Sequence, residues 1–145
     1  MHDKRILVVE DDFMNMKLTR HILEAEGYDV LQATTAREAI EQIKAAPPDL
    51  ILIDVYLPDM DGMTAVRIIR ESTGARDIAI LALTACAMKG DREKAIIAGC
   101  DNYLSKPINI HQLREMVTEL LFQRRKRIMP GANGDSDGQE DTCCR

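Results

Sequence analysis

Leu50-Ile51-Leu52-Ile53-Asp54 is a run of four large aliphatic residues that stops abruptly on a carboxylate. It is too short for a helix and has no polar alternate positions, so it reads as a strand covered on both faces, the mark of the interior of a parallel sheet. Arg5 to Val9 and Ile78 to Leu83 are runs of the same kind, while Asp29 to Ala33 and Asn102 to Leu104 are less apolar and suit the edges. Stretches of helical period separate them. Ala36, Ala39, Ile40 and Ile43 follow Thr35 and Glu38 in capping-box spacing, and Leu113, Val117, Leu120 and Leu121 follow Asn109 and Gln112 in the same way. Arg124 to Arg127 supply cations suited to the end of that last helix, and further helices fit near residues 14 to 26, 63 to 72 and 88 to 98. Five strand-then-helix units predict an α/β fold: a doubly wound, five-stranded parallel sheet with right-handed crossovers and helices on both faces.

A chain of 145 residues, 46% of them hydrophobic, can bury one core but not two. Residues 1–123 are therefore expected to form one domain, and residues 124–145 a basic helix end followed by a disordered Gly- and Asp-rich tail. No apolar stretch approaches the roughly 18 residues of a membrane span. Met1-His2-Asp3-Lys4-Arg5 leads directly into Ile6-Leu7-Val8-Val9 without a secretory pattern, so no membrane contact and a cytoplasmic location are expected. The four cysteines, Cys86, Cys100, Cys143 and Cys144, lack metal-site spacing and are expected as free thiols. A net charge of −5 argues against nucleic acid as a direct partner.

In open parallel sheets the site lies beyond the carboxyl ends of the strands. Strand one ends in Glu10-Asp11-Asp12, strand three in Asp54, strand four in Thr84-Ala85 and strand five in Ser105-Lys106-Pro107. Asp12 is open to two readings, a member of the acidic cluster or the N-cap of the following helix. Carboxylates gathered at one crevice raise the cost of ionising one another, which a bound cation relieves. A few hard oxygen ligands with room for water and a phosphate suit magnesium better than calcium or zinc. With a lysine to hold phosphate oxygens and a hydroxyl to donate a hydrogen bond, these are the parts of a phosphoryl-transfer site in which a carboxylate can be the nucleophile. Asp59-Met60-Asp61-Gly62 imitates part of a calcium loop, but Leu57 and Ile68 stand where its outer ligands belong, so it reads as a turn. His2, His21 and His111 have no metal-binding spacing.

Val8-Val9-Glu10-Asp11-Asp12, Leu50-Ile51-Leu52-Ile53-Asp54, Leu57-Pro58-Asp59-Met60-Asp61-Gly62, Leu83-Thr84-Ala85 and Tyr103-Leu104-Ser105-Lys106-Pro107 together resemble the successive motifs of the CheY-like response-regulator receivers, over about residues 4 to 123. Asn15-Met16-Lys17-Leu18, Ala87-Met88-Lys89-Gly90-Asp91 and Lys106-Pro107-Ile108 are most similar to the stand-alone, DivK-like cell-cycle receivers. The resemblance implies strand order 2-1-3-4-5, the flavodoxin-like order of CheY. It implies Asp54 as phosphoacceptor, and Mg2+ held by Glu10 (partly through water), Asp11, Asp54 and the main-chain carbonyl of Tyr56. Lys106 would take one phosphoryl oxygen and Thr84 another, with Tyr103 turning inward as Thr84 moves; Tyr103 also fits a half-exposed strand residue with no signalling role. The resemblance places Tyr56 and Cys86 at positions that in this family tune how fast water removes the phosphate, and it implies a cis Lys106–Pro107 bond.

These features predict a single-domain response regulator of a bacterial two-component phosphorelay. It would be phosphorylated from a phosphohistidine and would be no turnover enzyme but a self-catalysed phosphoacceptor with slow autodephosphorylation. Its partners would be a sensor histidine kinase or histidine phosphotransfer protein, a downstream protein target, and a second copy of itself in a phosphorylation-dependent homodimer; the alternative is a phosphate sink or shuttle. A phosphatase of the haloacid-dehalogenase type would need an acid at the position of Tyr56. A flavodoxin-like flavin site would not place Glu10-Asp11-Asp12 in its phosphate loop.

Overall fold

The computed structural model describes residues 4–72, 77–84 and 91–128. The strands are β1 (Arg5–Val9), β2 (Asp29–Ala33), β3 (Leu50–Asp54), β4 (Ala79–Thr84) and β5 (Asn102–Ser105). The helices are α1 (Phe13–Ala25), α2 (Ala36–Ala45), α3 (Gly62–Ser72), α4 (Asp91–Ala98) and α5 (Ile110–Ile128). All strand pairs are parallel and the order is β2-β1-β3-β4-β5. The two less apolar runs are indeed the edges. Ala85–Gly90, which holds Cys86, Ala87 and Met88, and the tail from Met129 onward lie outside the described residues, as do His2, Cys143 and Cys144.

Period-two alternation divides the core between the two faces of the sheet. Ile6 and Val8, Leu50 and Leu52, and Ala79, Leu81 and Leu83 join Met16, Ile22 and Leu23 of α1 and the stripe Leu113, Val117, Leu120, Leu121 of α5. Leu7 and Val9, Ile51 and Ile53, and Ile80 and Ala82 face Ala39 and Ile43 of α2, Val66 and Ile69 of α3 and Ala95 and Ala98 of α4. Leu50 through Ile53 are wholly buried, which at about 1.5–3 kcal/mol per side chain makes β3 the axis of the fold. Its polar end is thereby carried into the interior.

Both start signals form their N-cap hydrogen bond. The Glu38 amide donates to Thr35 Oγ1 (3.1 Å) and the Gln112 amide to Asn109 Oδ1 (2.9 Å), as the spacing predicts. The Glu38 carboxylate, however, reaches past the cap and accepts from the Thr34 amide at 2.9 Å. The same Glu38 oxygen also accepts from the Thr34 hydroxyl at 3.3 Å, ahead of Thr35, which is itself extended. The last helix runs through the basic stretch to Ile128, beyond the expected domain limit at residue 123.

Candidate functional site

In register, Val9 lies beside Ile53 and Asp54 beside Leu83. The next residue of β1, Glu10, therefore emerges next to Asp54, and strand period turns both toward the side of α1 and α5. Glu10 is 1% exposed and Asp54 5%, while Asp11 is open to solvent. Carboxylate oxygens of Glu10, Asp11 and Asp54 lie within 4.8 Å of one another. Lys106 closes the group: its Nζ donates to Glu10 Oε1 at 2.9 Å and to Asp54 Oδ2 at 3.0 Å. The Lys106 amide is itself held on the Thr84 carbonyl at 2.7 Å, and the Lys106–Pro107 bond is cis, as expected.

Burial pushes the Glu10 carboxyl above the ordinary carboxylate range; the Lys106 hydrogen bond opposes this and the Asp54 charge adds to it. Burial alone would lower the Lys106 ammonium, but its hydrogen bonds to Glu10 and Asp54 and their charges outweigh it, so its pKa is raised and the lysine is cationic. Asp12 resolves as the N-cap of α1: its carboxylate accepts from the Asn15 amide at 3.3 Å, and its own amide donates to Glu10 Oε2 at 3.1 Å. Carboxylate donors in excess of the ammonium beside them, all hard oxygen and one edge open to water, fit a magnesium ion.

The loop from Val55 to Asp61 is folded tightly against the acceptor strand. The Tyr56 amide donates to Asp54 Oδ1 at 3.0 Å, Tyr56 and Asp61 form an antiparallel bridge, and the Gly62 amide donates to the Val55 carbonyl at 2.8 Å. Only glycine fits at position 62, because a Cβ there would collide with the Asp54 carbonyl oxygen and lie 2.8 Å from Val55 Cα. Asp59 does more than make a turn. Its two oxygens accept from the Ala36 and Arg37 amides at the start of α2, at 2.9 and 3.0 Å. The Ala36 amide bond is the main reason its carboxyl lies below the ordinary value. Nothing local in the sequence marks this contact, since the helix it reaches already carries its own cap.

Thr84 and Tyr103 come together on the other face. Thr84 is buried, Tyr103 is half-buried, and both line a cavity of about 470 Å³ with Val55, Tyr56, Met63 and Ile97. The cavity reaches the acidic cluster through Val55 and Tyr56, and the Thr84 carbonyl holds the Lys106 amide beside it. On α4, Ile96 and Ile97 are 43% and 77% exposed. Cys100 is buried and free, its thiol pushed up to about 12 by burial, so it is not a reactive thiolate. His21 and His111 are exposed.

The family model of the response regulator receiver domain matches residues 6–118. This chain belongs to that family. The receiver is 37% identical over 118 residues to the polar-differentiation response regulator DivK of Brucella ovis, a match that covers 81% of this chain and 96% of the relative. Its fold superposes on a CheY-like receiver domain protein from Methanospirillum hungatei with a TM-score of 0.80 and 33% identity, covering 87% of this chain and 99% of the other. It also superposes on the receiver domain of a sensor histidine kinase from Pseudomonas aeruginosa, solved with a magnesium ion coordinated in the active site cleft, with a TM-score of 0.77 and 34% identity. That match covers 83% of this chain and 99% of the other. The receiver is thus a two-component response regulator receiver domain similar to DivK.

Proposed function

We propose that this receiver accepts a phosphoryl group from a phosphohistidine onto Asp54 and signals through a phosphorylation-dependent protein contact. The observation that carries this reading is the placement of a buried Asp54 carboxylate between a cationic Lys106, 3.0 Å away, and the carboxylates of Glu10 and Asp11. Glu10, Asp11, Asp54 and the Tyr56 carbonyl would hold Mg2+, which when bound offsets the crowded negative charge and that of the incoming phosphoryl oxygens.

An oxygen of Asp54 forms the new P–O bond while the P–N bond to the donor imidazole breaks. The bonding pair leaves with a ring whose other nitrogen carries a proton, so neutral imidazole departs. Lys106 is already poised on Asp54 Oδ2 and follows the charge onto a phosphoryl oxygen as a charge-assisted hydrogen bond. The Tyr56 amide, bonded to the other oxygen of Asp54, keeps the carboxylate oriented for in-line attack. Thr84 donates to a further phosphoryl oxygen, and its movement opens the cavity to Tyr103.

The change is read on α4, β5 and α5, where Ile96 and Ile97 offer apolar surface to a downstream target or a second copy. Donor and output are proteins: a histidine kinase or phosphotransfer protein on one side and a target on the other. The chain works in the cytoplasm, in keeping with the lack of any helix among the described residues long and apolar enough to cross a membrane. Incubation with acetyl phosphate and Mg2+ should give one phosphoryl adduct by intact mass, absent in Asp54→Asn. Equal and stable labelling of that variant would overturn the assignment.

A further inference from the structure

We propose that Asp59 is a positioning residue for the metal side of the site, holding the Val55–Asp61 loop in shape by clasping the first turn of α2. This rests on the reading of Glu10, Asp11, Asp54 and the Tyr56 carbonyl as the magnesium-binding set. The loop is closed at its base by the Tyr56–Asp61 bridge and the Gly62–Val55 hydrogen bond, and Tyr56 is fastened to Asp54. Leu57 and Met60 rest against the core and keep the turn from lifting away, but apolar contact does not set an angle. Among the described residues, the hydrogen bonds that tie the tip of this turn to another element are the two accepted by Asp59.

Asp59 completes the first turn of α2 from a distance, taking the two amides that the local cap leaves free. Thr35 Oγ1 already takes the Glu38 amide, and Asp12, Asn109 and Thr35 show that helices in this chain cap from the adjacent residue. Asp59 arrives from more than twenty residues away and takes two successive amides, one with each oxygen. That bidentate, charge-assisted geometry at the positive end of a helix fixes orientation as well as distance. The anchored residue lies three positions after Tyr56, on the loop whose carbonyl is to face the ion. If the clasp favours the binding-competent loop, bound magnesium must favour the clasp, because coupling between two sites is reciprocal.

The test is isothermal titration of Mg2+ into the native chain, Asp59→Asn, Asp59→Ala and Thr35→Ala, with each variant's fold checked by circular dichroism. Amide hydrogen exchange of the native chain is measured with and without Mg2+. Asp59→Ala should raise the Mg2+ dissociation constant about three- to tenfold and Asp59→Asn by less. Thr35→Ala should lower the melting temperature through α2 and leave the dissociation constant unchanged. Mg2+ should slow exchange of the Ala36 and Arg37 amides in the native chain. Should Asp59→Ala not fold, Asp59→Asn and the native exchange data decide. Native affinity in both Asp59 variants, or an equal loss in Thr35→Ala, overturns the proposal and leaves the site standing. A native chain that binds no Mg2+ overturns the metal site and this proposal together.

Discussion

At the amino-terminal end of the sheet, Arg70 donates to the Ile78 carbonyl at 2.6 Å, the Gly99 carbonyl at 3.0 Å and Asp101 at 3.1 Å, and the same Asp101 oxygen accepts from the Ile80 amide at 2.8 Å. At the carboxyl-terminal end, Glu10 and Asp54 share Lys106 while Asp11 stands beside them. Both are partly buried clusters of charge, yet their balance differs. Among the described residues, the Arg70 group pairs one cation with one anion and turns further donors to two carbonyls, so its charges balance without a ligand. Glycine is required there: Gly99 has φ +120°, and a Cβ on it would come within 3.0 Å of Arg70 Cγ. Among the described residues, the Lys106 group sets three carboxylates against one ammonium, an excess of negative charge that a bound cation would offset. One cluster closes the fold and the other is left to be completed.

The contrast has consequences of decreasing size. Asp54→Asn should abolish phosphoryl labelling while the chain remains folded, because an amide cannot act as the nucleophile and one excess charge is removed; labelling by intact mass checks this. Arg70→Ala should cost about 2–4 kcal/mol in urea unfolding, since the partly buried Asp101 loses its guanidinium partner while keeping the Ile80 amide, and the Ile78 and Gly99 carbonyls lose the Arg70 donors. An Arg70→Ala chain as stable as the native one would show that the clamp is ornamental. Asp11→Ala should leave stability equal or raise it by up to about 1 kcal/mol by relieving repulsion at an exposed position, while Mg2+ binding by calorimetry is lost. Unfolding of Asp11→Ala would make the acidic cluster structural after all.

The smallest effect is in pH. The folded Asp59 carboxyl lies below its ordinary value of 3.8. Its contribution to stability is therefore fully present above that value and lost as pH falls through the lower folded one. The difference in melting temperature between the native chain and Asp59→Asn should be constant from neutral pH to about 5 and shrink below about 4. A difference that grew on acidification would reverse the assigned sign.

Much of the fold and of the site is legible in the sequence, and the exceptions share a cause. The five strands, the two edge strands and the N-caps at Thr35 and Asn109 follow from period, run length and contacts within a few residues. Glu10, Asp11, Asp54 and Lys106 could be gathered from sequence because strand ends in a parallel sheet share one edge, whatever the details of packing. Asp12 could not be separated from Asp11 that way. Adjacent carboxylates look alike until the helix axis places one over its own amides and leaves the other toward the crevice.

What the amino-acid order determined by itself was the alternation of strand and helix, the burial of Leu50 to Ile53 and, through it, a carboxylate carried to the end of a buried strand. Only the tertiary structure decided that Asp59 would clasp α2, that Arg70 would clamp the Gly99–Asp101 turn, and that Thr84 and Tyr103 would line a cavity beside the acidic cluster. Each of these depends on the approach of segments separated by roughly 20 residues or more, and such distances are set by how helices of particular volume pack on the sheet. Local periodicity carries no record of that packing.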